Sequence, residues 1–277
     1  MTTPKAKLAG LALIAALCVG FTLGLTAPAG AGLKEGAAAY IRGDYATAIR
    51  EWRPLANQGN ANAQFFLGVM YDKGRGVPRD YAKAMKWYRK AAEHGVAKAQ
   101  HFVGVMYDKS RGVPQDYAKA MKWYRKAAEQ GYAEAQSNLG FMYKNGLSVP
   151  QDYAKAVQWW RKAAEQGYAE AQSNLGFMYE NGQGVPQDYA KVVKWYRKAA
   201  EQGVAEAQTN LGRMYYKGLG APQDYVQGHM WFNLAASSFP PGEKLDVALK
   251  NRDIVAKRMT PAQISEAEKL AREWWPK

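Results

Sequence analysis

Residues 132–167 read YAEAQSNLGFMYKNGLSVPQDYAKAVQWWRKAAEQG, and residues 168–203 read YAEAQSNLGFMYENGQGVPQDYAKVVKWYRKAAEQG. The two stretches open with the same twelve residues, and the frame they share runs far beyond them. Pro78, Pro114, Pro150, Pro186 and Pro222 stand 36 residues apart, as do Trp87, Trp123, Trp159, Trp195 and Trp231. The same interval carries Gly68, Gly104, Gly140, Gly176 and Gly212, then Tyr71, Tyr107, Tyr143, Tyr179 and Tyr215, then Asp80, Asp116, Asp152, Asp188 and Asp224. A period of this length marks a stacked repeat: one such unit cannot bury both its faces alone and must pack against its neighbours.

Within the unit, the spacing predicts a first helix over 133–143, a glycine-rich turn ending in Val149 and Pro150, and a second helix over 152–165. Asp152 is placed to cap the second helix, and Gly167 to end it in a left-handed conformation. Ala163, Ala164, Ala169, Ala171 and Gly140 are small enough to let backbones approach, with Trp159 and Tyr143 expected to fill the remaining space. The repeats are expected at 60–95, 96–131, 132–167, 168–203 and 204–238. A shortened helix pair over 32–59 and helices over 239–277 are expected to cap the two ends. Thr260, Pro261 and Gln263 open the last helix as a capping box with proline at the first helical position. The fold class is therefore an all-α solenoid of 36-residue helix pairs.

The formal charge is +14. Basic residues such as Lys83, Lys86, Arg89 and Lys90 recur at helix-surface spacing beside Asp80 and Glu93, which describes a solvated outer helix face rather than a nucleic-acid groove. Residues 1–31 read as an export signal. Lys5 and Lys7 begin it, residues 8–25 form its apolar stretch, and Ala29, Gly30 and Ala31 offer a small-x-small cleavage site before Gly32. Cleavage after Ala29 and retention of the stretch as an uncleaved anchor both stay open. The chain's one cysteine, Cys18, lies in this leader, so the mature protein is expected to use neither disulfides nor thiolates. No other segment is apolar enough to span a membrane, and the expected location is periplasmic or secreted.

Ala135-Gln136, Leu139-Gly140, Met142-Tyr143, Gly146, Val149-Pro150-Gln151-Asp152, Trp159 and the Ala163 to Gly167 segment closely resemble the Sel-one-like repeat family, relatives of the tetratricopeptide repeats. The resemblance covers about residues 36 to 236. It implies a right-handed superhelix in which the first helix of each unit lines a concave groove, and a role as an adaptor in protein complexes. A cysteine-rich branch of that family has been linked to β-lactam chemistry; the absence of cysteine after the leader separates this chain from it.

Catalytic constellations are missing from the sequence. His94, His101 and His229 do not share a repeat position, and no zinc-type pair of histidines, nucleophile elbow or Ser-x-x-Lys is present. Glu93, Glu129, Glu165 and Glu201 recur once per unit, as scaffold residues do. The expectation is a non-enzyme without cofactor or metal.

A partner site is sought where the repeats differ. Asn138, Asn174 and Asn210 precede the Leu-Gly pair, where earlier repeats have Phe66 and Phe102. In tetratricopeptide repeats an asparagine at this place faces the groove. Its amide supplies a donor and an acceptor, which matches one peptide unit, although pairing with the neighbouring repeat is an equal alternative. Three residues on stand Val69, Val105, Phe141, Phe177 and Arg213. Three further stand Asp72, Asp108, Lys144, Glu180 and Tyr216. The groove is expected to grade from apolar around Phe65, Phe66 and Phe102 to basic around Arg213 and Lys217. The expected partner is a protein or extended peptide, with an anionic envelope polymer as the rival and a cell-wall hydrolase as the more distant one.

Overall fold

The computed structural model describes residues 29–274. Among these, every regular element is an α-helix. The chain divides into two compact units, residues 1–130 and 131–277. In the first unit, α1 (Ala29–Arg42), α2 (Tyr45–Asn57), α3 (Ala61–Lys73), α4 (Tyr81–Glu93), α5 (Ala97–Asp108) and α6 (Tyr117–Glu129) each pack on the next in chain order. The second unit holds α7 (Ala133–Asn145), α8 (Tyr153–Glu165), α9 (Ala169–Asn181), α10 (Tyr189–Glu201), α11 (Ala205–Lys217), α12 (Tyr225–Ser238), α13 (Glu243–Ala256) and α14 (Pro261–Glu273). There α7 to α13 pack in order, and α14 folds back onto α12. Nearest-neighbour packing of this kind is the architecture of a helical solenoid. The leader expected over 1–31 lies outside the described residues as far as residue 28.

The second helix of each pair starts where its aspartate places it. Asp152 Oδ1 accepts from the Lys155 amide at 2.8 Å, and Asp44, Asp80, Asp116, Asp188 and Asp224 repeat the bond at 2.9–3.1 Å. Each bond satisfies an amide that the first turn otherwise leaves open. The lysine at Lys83, Lys119, Lys155 or Lys191 also folds back onto the same carboxylate at 2.8–3.1 Å. Thr260 and Gln263 form the expected capping box.

The core corrects one expectation. Trp159 is half-buried, whereas its neighbour Trp160 is 1% exposed. Trp52, Tyr88, Tyr124, Trp160, Tyr196 and Phe232 form the buried series, again 36 residues apart. Each lies on the glycine of the preceding first helix: a Cβ on Gly68, Gly104, Gly140 or Gly176 would fall 2.5–2.6 Å from the ring. Trp87, Trp123 and Trp159 lie instead at the edge, beneath the ammonium groups of Lys90, Lys126 and Lys162 at 4.9, 4.5 and 4.5 Å from the ring centres. A helix buries a stripe, and a position one residue along is turned about 100° from it. In those three repeats the tryptophan with the regular spacing is thus an edge residue and the residue after it fills the core, whereas Trp195 and Trp231 of the same series are themselves buried, 8% and 3% exposed.

A second periodic device holds neighbouring pairs together. Gln64, Gln100, Gln172 and Gln208 are buried, and their side-chain amides donate to the carbonyls of Ala56, Ala92, Ala164 and Ala200 at 3.1–3.2 Å. The oxygens of Gln100, Gln136 and Gln172 accept from Gln130, Gln166 and Gln202 at 2.7–2.8 Å. The series ends where the donor changes. His94 and Ser238 stand where Gln64 and Gln208 would find their glutamine, and those two oxygens are buried without a partner among the described residues.

Candidate functional site

The first helices of the second unit carry the stripe singled out by the repeat comparison. Because residues 132–143 and 168–179 are identical, α7 and α9 present the same side chains in the same register. Leu139, Met142 and Tyr143 on α7 face the core, as do Leu175, Met178 and Tyr179 on α9. This leaves Phe141 and Phe177 turned outward, 51% and 40% exposed. They are the two exposed phenylalanines among the described large apolar residues. Asn138, Asn174 and Asn210 lie half-buried one helical turn before the 141-type position.

Adjacent first helices meet through residues 33 apart. Lys144 on α7 places its ammonium 4.5 Å from the ring centre of Phe177 on α9. It has no carboxylate partner among the described residues. The corresponding pair on α9 and α11 is ionic: Arg213 holds Glu180 through two bonds of 2.6 and 2.9 Å. Arg213 also donates to the Asn210 amide oxygen at 3.3 Å, and the Tyr196 hydroxyl donates to Glu180 at 3.0 Å. Burial works against the Arg213 charge, but the bond and the charge of Glu180 prevail and its pKa is raised. Burial and the adjacent Glu180 also raise the Tyr196 pKa, so its hydroxyl stays protonated. Tyr216 completes the stripe, its ring 5.9 Å from that of Tyr225.

Two expectations about this surface change. The apolar end is not an open groove: Phe65 and Phe66 are 1% and 6% exposed, Phe66 stacks on Trp52 at 4.6 Å, and Phe102 stacks on Tyr88 at 5.1 Å. At the basic end the Arg213 charge is spent on Glu180, while Lys217 is exposed. The amide oxygen of Asn210 is engaged by the same arginine. What remains outward is an aromatic and cationic strip of Phe141, Lys144 and Phe177. The histidines occupy unrelated settings. His94 is exposed, and burial lowers the pKa of His101 to about 4 and also lowers that of His229. No group of three metal-ligating side chains occurs among the described residues, and no described helix is long and apolar enough to cross a membrane.

Among the described residues, a succession of helix pairs, each packed on its neighbours within its unit, defines a helical-repeat protein. The Sel1 repeat is matched at residues 61–96, 97–132, 133–168, 169–204 and 205–238, and the chain belongs to that family. Sel1 repeat proteins are generally non-catalytic scaffolds for protein interactions. A Sel1 repeat protein from Oxalobacter formigenes is 34% identical over 86% of this chain and 98% of its own, with a TM-score of 0.72. A protective antigen of uropathogenic Escherichia coli with an SLR fold is 31% identical over 88% of this chain and 68% of its own, with a TM-score of 0.42. A Sel1 repeat protein from Klebsiella pneumoniae is 22% identical over 74% of this chain and 98% of its own, with a TM-score of 0.48. The sequence matches none of the curated proteins with which it was compared.

Proposed function

We propose that the second unit holds an extended segment of a partner protein against α7 and α9, so that the chain acts as an exported, non-catalytic adaptor. The observation that carries this reading is the exposure of Phe141 and Phe177 on two identical helix faces. Packing has no need of those rings, since the residues on either side of each one that face inward already fill the core. Large apolar side chains held in water at a fixed spacing gain free energy when a partner covers them. Lys144, between them in sequence, favours a carboxylate on the bound segment. Asn174 places an amide group one turn before Phe177, and such an amide carries the donor and acceptor that match a backbone unit.

Selection from a library of extended peptides tests the reading. Enriched sequences should carry an apolar side chain beside an acidic one and should bind at least 10-fold more weakly to the Phe141→Ala, Phe177→Ala protein. Enrichment that the double variant retains would place peptide binding elsewhere. Export rests on the reading of residues 1–31, and amino-terminal sequencing of the protein from its source cell checks it: a start at Gly32 or Gly30 agrees, and a start at Met1 in the cytoplasm does not.

A further inference from the structure

The positive charge is not spread along the chain. Residues 60–130 hold fourteen basic and six acidic side chains, whereas residues 131–277 hold eighteen and fifteen. The excess therefore sits on the first unit, and it has a structural focus. Helices α4 and α6 share one sequence, YAKAMKWYRKAAE, and most of its cations have local work. Lys83 and Lys119 return to their capping aspartates, while Lys90 and Lys126 lie over Trp87 and Trp123. Arg89 leans toward Glu93 at 3.6 Å, and Lys86 has no carboxylate partner among the described residues.

Lys86, Arg89, Lys90 and Glu93 line one side of a concavity of about 350 Å³. Ala82 and Met85 form its apolar part, and Gly112 and Val113 from the turn before α6 close it. That turn comes so near because residue 112 has no side chain: with φ at +70°, a Cβ there would fall 2.6 Å from the Tyr81 carbonyl. Arg111, beside the turn, lies over the Tyr81 ring at 5.9 Å and is not part of the lining. The volume falls at the small end of the range for small-molecule sites, about 300–1,000 Å³.

We propose that this concavity on α4 binds a phosphate monoester, with Lys86, Arg89 and Lys90 around the phosphate and Met85 and Ala82 against its organic stem. Three cations and one carboxylate leave two positive charges, the complement of a monoester carrying about −1.5 to −2 at neutral pH. A carboxylate or a phosphodiester supplies a single negative charge and leaves the site unbalanced. The forked donors of Arg89 and the ammonium groups beside it can serve the three terminal oxygens together. The third repeat supplies an internal contrast. Gln158 stands where Lys86 does, so Arg161, Lys162 and Glu165 retain one net charge. This site is independent of the peptide-binding reading of the second unit.

Calorimetric titration of the full chain with glucose 6-phosphate, inorganic phosphate, dimethyl phosphate and acetate tests the proposal. The sugar phosphate is expected to bind at one dominant site. Its affinity should rise severalfold from pH 5 to pH 7, as the second phosphate proton leaves near a pKa of about 6. Inorganic phosphate, whose second proton leaves at a higher pH, should bind more weakly and show its rise at a higher pH if the stem contacts Met85 and Ala82. Lys86→Gln, which installs the residue of the third repeat at an exposed position, should weaken binding at least 10-fold without lowering Tm, and Lys86→Arg should restore most of it. Lys194→Gln, the same change on α10, should leave it intact. Equal binding of dimethyl phosphate, or equal affinity in the Lys86→Gln protein, would overturn the assignment. So would absence of binding at about 10 mM ligand. Binding confined to long polyphosphate and indifferent to Lys86→Gln would also overturn it, because general charge density on the first unit would then suffice.

Discussion

At the residue scale, two adjacent tryptophans separate what spacing shows from what packing decides. Trp159 belongs to a regular tryptophan series, yet it lies half-buried under Lys162, while Trp160 is enclosed against Gly140. The buried series was harder to see because Trp, Tyr and Phe alternate in it, so no single letter repeats. Trp160→Ala is expected to cost about 3–5 kcal/mol, as for other large aromatic truncations in cores. Trp159→Ala should cost less than half of that, since it loses partial burial and one cation–π contact worth about 0.5–1 kcal/mol. Urea unfolding of the two variants measures both, and a larger loss for Trp159→Ala would reverse the assignment. The glutamine pairs were visible as letters, Gln136 and Gln166 among them, but their partnership joins residues 30 apart and becomes evident only in three dimensions. Gln202→Ala should leave the buried Gln172 oxygen without its donor and cost about 1–3 kcal/mol by the same measurement.

At the scale of the element, helix limits were legible because their signals are local. Asp152 before the second helix and Gly167 after it act within one turn, and the structure places both as expected. Two turns depart from the glycine pattern: Ser110 and Ser148 take φ of +54° and +66°, where the other repeats have glycine. A side chain in that region costs about 1–2 kcal/mol. Ser110→Gly is therefore expected to raise Tm, less the hydrogen bond that Ser110 Oγ donates to the Val113 carbonyl at 3.3 Å. A lower Tm would show that this bond outweighs the strain. The capping aspartates set an acid limit. Bonds from the first-turn amides and the lysine ammonium groups hold the carboxyls of Asp80, Asp116, Asp152 and Asp188 below their ordinary value. A folded-state pKa below the unfolded one gives stability that is complete above about pH 4 and is lost as pH falls through the folded value. His101 and His229, whose pKa values burial lowers, also take stability away as pH falls below about 6.5. Tm should thus decline from pH 7 toward 4 and decline further below 4 as the caps protonate; a course that levels off between pH 4 and 3 would remove the caps from the stability account.

At the scale of the whole molecule, the repeat register announced the architecture, since a frame that never slips over five units leaves few alternatives to a solenoid. The distribution of function over it was less legible. Which outward residues are spent on each other depends on contacts between neighbouring repeats. Arg213 and Lys144 look alike in sequence, yet one is bound to Glu180 and the other rests on Phe177. The same holds for the phenylalanines, where Phe66 is stacked under Trp52 and Phe141 stands in water. Formal charge similarly gave a sum for the chain, while its concentration in the first unit emerges only when the count is taken against the structural division.

The central claim is that the outward strip on α7 and α9 serves a partner and does not serve the fold. Measuring Tm and peptide affinity together on Phe141→Ala, Phe177→Ala and the double variant tests it most directly. The account predicts Tm within about 2 °C of the parent, as for surface changes of about 0.5 kcal/mol or less, with affinity falling at each step and at least 10-fold in the double variant. A Tm lowered by several degrees with peptide affinity preserved would contradict it, and would return both rings to the packing of the scaffold.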